Sequence, residues 1–140
     1  MTRGTLMLAA GVVLGIVGMT AARHDEKREG VKPLAVREIV EKLDGQPTNA
    51  TAVEVTLEPG QGGDSHRHPG PAFGYVLEGE YEWAIDDQPA RILKAGETFY
   101  EPGGCLHRVS RNPGKVKMRM LAWVLHPRDA KDLVIPEPKK

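Results

Sequence analysis

Three of the five histidines in this 140-residue chain stand where their chemistry could be shared: His66, His68 and His107. The segment His66-Arg67-His68 is an i, i+2 pair. On an extended strand such a pair projects from one face, roughly 6–7 Å apart along the chain. Two imidazoles so placed can share one metal ion, and a third from another strand would complete a facial set. Neutral imidazole suits iron, zinc, copper, nickel and often manganese. The spacing alone equally allows surface or packing roles, as for any histidine.

These residues lie in a chain built for short strands. Glycine (16) and proline (11) are spread through it. Alternating or β-rich segments at 52–57, 73–77, 81–85, 91–93, 98–101, 106–110 and 116–125 each run into a turn signal such as Pro59-Gly60, Glu78-Gly79, Asp86-Asp87 or Pro102-Gly103-Gly104. With no convincing helix among them, the spacing predicts an all-β antiparallel sandwich or barrel. Residues 34–43 (LAVREIVEKL) fit a helical stripe or an alternating strand, and are read as a short strand or irregular edge segment. Residues 23–33, charged and ending in proline, read as a flexible tether.

The first 22 residues differ from the rest. Arg3 is their only charge, an apolar and glycine run extends from Leu6 to Met19, and Thr20 and Ala22 stand at the −3 and −1 positions of a cleavage site. This is the layout of a secretory signal peptide and predicts a periplasmic or secreted domain. The alternative is a retained anchor, since the uncharged stretch 4–22 approaches the roughly 20 residues that span a bilayer. A membrane is a partner only in that case. The 19 basic and 19 acidic side chains balance, so the chain lacks the basic footprint of a nucleic-acid binder. Cys105 is the single cysteine and forms no internal disulfide. The fold must therefore rest on its core, which a domain of this size can supply.

The order Gly60, His66, His68, Gly79, then Gly96, Pro102, Gly104, His107 resembles the two signature motifs of the cupin superfamily. The stretches HRHPGPAFGYVLEGE and AGETFYEPGGCLHRVSRN are similar to its small single-domain branch, over a motif core of 52–125 within a domain of 34–140. The resemblance implies a single double-stranded β-helix, jelly-roll-like barrel with a divalent metal ion (Fe, Mn, Ni, Cu or Zn) in its mouth on His66, His68 and His107. Similar barrels usually pair as a homodimer through an edge strand.

Two positions depart from the family pattern. The glutamate expected four residues after the second histidine is Ala72, and Arg111 stands where an asparagine is expected, with Asn112 one place later. Three neutral imidazoles without that glutamate leave a more positive and more open metal, which suits catalysis. Glu101 is the candidate replacement. It shares strand parity with Phe99, so if Phe99 packs inward Glu101 does too, as a fourth ligand, an orienter or a general acid/base. Otherwise it is a rim carboxylate, facing solvent or paired with Arg91 or Arg108.

Ala72, Gly74 and Val76 share the parity that should face the cavity, and their small size suggests a pocket for a small-molecule ligand or substrate, unless larger neighbours fill it. Tyr75, Tyr81, Trp83, Tyr100 and Trp123 are candidates for the mouth, the core or a dimer surface. Cys105 reads as a small half-buried residue, and His24 and His126 as lone histidines outside the site. No G-x-S-x-G, H-E-x-x-H, phosphate-cradling loop or C-x-x-C is present. The functions in contention are a metal-dependent oxygenase, isomerase or lyase; a non-catalytic module binding a small ligand or a metal; and a barrel whose site is vestigial.

Overall fold

A computed structural model describes residues 30–138. The strands are β1 (Val31–Leu43), β2 (Gln46–Leu57), β3 (His66–Arg67), β4 (Ala72–Glu78), β5 (Glu80–Ile85), β6 (Arg91–Lys94), β7 (Thr98–Glu101), β8 (His107–Arg111), β9 (Met118–Pro127) and β10 (Ile135–Pro136). They form two five-stranded sheets, β1-β2-β9-β4-β7 and β10-β3-β8-β5-β6, antiparallel throughout.

Alternation decides which side chains meet between the sheets. On β4, Ala72, Gly74 and Val76 are buried while Phe73, Tyr75 and Leu77 face out; on β9, Met118, Met120, Ala122, Val124 and His126 are buried. One core cluster joins the sheets through Val76, Tyr81, Trp83, Leu93, Phe99 and Met118, and a second gathers Val53, Ala72, Ala122, Val124 and Leu133. The first is made of large side chains and the second mainly of small ones.

The expected strands are present, with two extensions and two additions. The ambiguous segment 34–43 is part of a 13-residue strand, and the reading of a tether over 23–33 gives way at Val31, where that strand begins. The cause is the Asp44-Gly45 turn: Leu43 pairs with Gln46, and both turn residues have positive φ (48° and 77°). A two-residue turn of this kind matches the twist of flanking strands and makes a hairpin of what precedes it. β3 and β10, two residues each, carry no pattern long enough to read. The signal or anchor segment 1–22 and His24 lie outside the described residues.

Candidate metal centre

β3 and β8 bring the histidines together. His66 pairs with His107 in register, and His68 follows β3 by one residue. Ring centroids are 4.9 Å apart for His66–His68, 4.8 Å for His66–His107 and 6.3 Å for His68–His107. One nitrogen from each ring lies within 4.8 Å of the other two.

Backbone carbonyls orient two of the rings. His66 Nδ1 donates to Asp64 O at 2.8 Å, and His68 Nδ1 to Leu133 O at 2.7 Å. A carbonyl only accepts, so the proton sits on Nδ1 and the lone pair on Nε2. Such outer partners fix the tautomer in metal-binding histidines. In His107, Nε2 lies 3.2 Å from the Tyr81 hydroxyl, which also contacts Ser110 Oγ at 2.8 Å. Burial, then the neighbouring His66 and His68, holds the His107 imidazolium down to about 3, so the ring is neutral across the physiological range.

Glu101 is turned into this cluster and is 1% exposed. Its Oε1 accepts the Trp83 indole N–H at 2.9 Å and lies 3.2 Å from His107 Nδ1; its Oε2 lies 3.4 Å from His68 Nε2. Neither Arg91 nor Arg108 reaches it: Arg108 donates to the carbonyls of Asp86 and Gln88, and Arg91 is exposed on β6. Burial pushes the Glu101 carboxyl up to about 7, against the Trp83 hydrogen bond.

β4 and β7 place Glu101 directly opposite Ala72. A carboxylate thus stands at the position facing residue 72 on the neighbouring strand, and the small alanine leaves room for it. The expectation of a pocket beside Ala72, Gly74 and Val76 holds at Ala72 and fails at Gly74. A Cβ at Gly74 would lie 2.1 Å from the Phe99 ring, so the ring fills that space. The cavity that remains is about 410 Å³, within the size range of small-molecule sites. The three histidines, Glu101 and Tyr81 line it alongside apolar side chains of β2 and β9.

The set suits a divalent cation. Glu101 Oε2 and His107 Nδ1 are buried without a hydrogen-bond partner, an arrangement that normally demands an explanation such as an ion. A lone pair on His68 Nε2 faces an oxygen 3.4 Å away, which a cation or proton between them would stabilise.

The remaining candidates have other duties. His126 is buried, with Nε2 against Thr51 Oγ1 at 2.9 Å and Nδ1 donating to Pro127 O at 2.8 Å, apart from the cluster. Asn112 ties the β8–β9 turn by donating to Leu57 O and Val116 O and accepting from Gly114 N. Cys105 is half-buried, and burial first among its causes raises its thiol to about 11, so it is no ready thiolate. Tyr75, Tyr100 and Trp123 lie exposed on the outer face of their sheet. Sequence reasoning named Trp83 among the mouth or core aromatics but not as the partner of Glu101, and it missed the Leu133 carbonyl.

Residues 53–124 match the cupin domain family. The chain belongs to it. Solved cupin folds are similar over most of this chain. An uncharacterized conserved protein with a double-stranded beta-helix domain from Klebsiella pneumoniae is 25% identical (TM-score 0.51; 71% of this chain, 80% of that one). A Cupin 2 conserved barrel domain protein from Salinispora arenicola is 19% identical (TM-score 0.53; 70% and 75%). The DMSP lyase DddQ from Ruegeria pomeroyi is 22% identical (TM-score 0.54; 75% of this chain), and this cupin spans 53% of its length. The last two likenesses establish the fold alone. Comparison with curated proteins gave no match.

Proposed function

We propose that this cupin is an exported small-molecule metalloenzyme that binds a divalent metal on His66, His68 and His107 and uses Glu101 as its acid/base. The observation that carries this reading is the buried Glu101 carboxyl, held by Trp83 with Oε2 aimed at the histidines and left without a hydrogen bond. Burial raises this carboxyl to about 7 in the metal-free fold, and a cation on the histidines would draw it back down, leaving a carboxylate able to accept a proton and pass it on. The metal would act as a Lewis acid on an oxygen of the bound molecule. The chain's own residues do the rest: backbone carbonyls fix His66 and His68, the Tyr81 hydroxyl meets His107, and Trp83 fixes the carboxyl. Oxygenase, isomerase and lyase chemistry all fit such a site.

A non-catalytic module that binds a small ligand is the second reading, and the apolar lining of the cavity favours it. A buried proton-exchanging carboxyl beside the cluster is more than retention requires.

The test is metal content by plasma mass spectrometry of the natively expressed protein beside a His66→Ala/His68→Ala double variant. Near-stoichiometric iron, manganese, nickel, copper or zinc in the parent, lost in the variant, is the expected result. A folded parent that stays empty when metals are offered would overturn it.

A further inference from the structure

The cavity wall carries information about what enters it. Val53 and Val55 of β2, Met120, Ala122 and Val124 of β9, and Leu133 of the C-terminal segment line it with hydrocarbon. No lysine or arginine does so among the described residues. The acidic side chains on the wall are Glu101 and Asp64. The arginines of the flanking strands are engaged elsewhere: Arg67 with Glu137, Arg111 with Glu82, and Arg119 with Glu54. A ligand that carried a second anionic group into this belt would lose its hydration and meet no counter-charge, which is costly. Methylene groups there gain from leaving water.

We infer that the site takes a largely hydrocarbon molecule with a single oxygen-bearing head, the head at the histidine cluster and the chain along the β2–β9 belt. Molecules that carry a second anionic group into the belt are excluded. The placement of the head rests on the proposed metal site; the selection for a hydrocarbon body rests on the belt alone.

The two parts separate in one experiment. Full-length protein, metal-loaded and chelator-stripped, is titrated by calorimetry with butan-1-ol, hexan-1-ol and octan-1-ol, and with butanoate, hexanoate and hexanedioate. In both forms the alcohols should tighten by about fourfold per added methylene until the belt is filled. In the loaded form hexanoate should follow the same increment over butanoate, and hexanedioate should bind at least about tenfold more weakly than hexanoate. Ala122→Leu, which narrows the belt, should flatten the alcohol series. Val53→Ala, milder for the fold, should weaken octan-1-ol by about threefold and spare butan-1-ol. A flat alcohol series, or hexanedioate binding as well as hexanoate, overturns the inference even in protein that holds its metal. Protein that takes up no metal yet keeps the alcohol series sinks the metal reading and upholds the belt.

Discussion

The two core clusters of this barrel share β4 and β9 and do opposite things. Where Phe99 lies over Gly74, with Trp83, Leu93 and Met118 around it, side chains fill the space between the sheets, and Phe99 and Tyr81 close one wall of the cavity. Two residues along β4, Ala72 faces Glu101, and Ala122 and Val124 stand on the neighbouring strand; there the space is open and lined by histidines. Side-chain volume, not backbone course, divides the barrel into a part that holds the sheets together and a part that can hold something else.

That contrast is sharpest in its response to truncation. Phe99→Ala should cost about 3–5 kcal/mol, because it removes a whole ring packed on Gly74, Tyr81 and Trp83 and leaves a void there. Val124→Ala, on the hollow side, should cost only about 1–2 kcal/mol, since the lost methyl groups already border a cavity. Urea unfolding of the metal-free variants reads both; equal losses would break the distinction.

Acidity reads the hollow half next. The Glu101 carboxyl is raised from 4.5 to about 7 in the fold, so the folded state binds the proton more tightly than the unfolded chain. Its contribution to metal-free stability is full below about pH 4.5 and disappears as pH rises through about 7, a change of about 3 kcal/mol. His107 works in the opposite sense, its contribution present above 6.5 and lost as pH falls toward about 3. Glu101→Gln keeps the shape of the protonated acid but does not ionise, so it should match wild type below about pH 4.5 and become the more stable protein, by up to about 3 kcal/mol, as pH rises through about 7. A pH-independent difference would mean that Glu101 is not the buried acid described above.

The smallest effect is the most specific. Because positions 72 and 101 face each other, Ala72→Glu/Glu101→Ala moves the carboxylate back to the family position without changing what the cluster is offered. Metal retained by the double variant should stay within about tenfold of wild type, whereas Glu101→Ala alone should lose on the order of 10–100-fold. Chelator competition measures both. A double variant no better than the single one would show that the strand of origin matters.

How much of this was legible beforehand varied with the range of the signal. The histidine trio and the inward turn of Glu101 follow from spacing and strand parity, both local. The same parity placed Ala72, Gly74 and Val76 inside, but could not show that Phe99, from β7, fills the space at Gly74. Trp83 lies on the other sheet from Glu101, and no pattern within either strand pairs them. The Asp44-Gly45 turn is a local signal, but the charged run ending in Pro33 reads as a tether and hides the first three residues of β1. The Leu133 carbonyl could not be anticipated at all, since every residue has one and only the folded chain decides which carbonyl meets His68.

That carbonyl also sets an order of events. Both histidine motifs and all the strands of the first sheet precede residue 128, yet His68 takes its fixed tautomer from Leu133, which is followed by the two-residue β10 that pairs with β3. A chain made from its N-terminus has its histidines early and the carbonyl that orients His68 late. The finished geometry waits for residues synthesised after both histidine motifs, so a barrel cut short before Leu133 would keep its histidines and lose the hand that aims one of them.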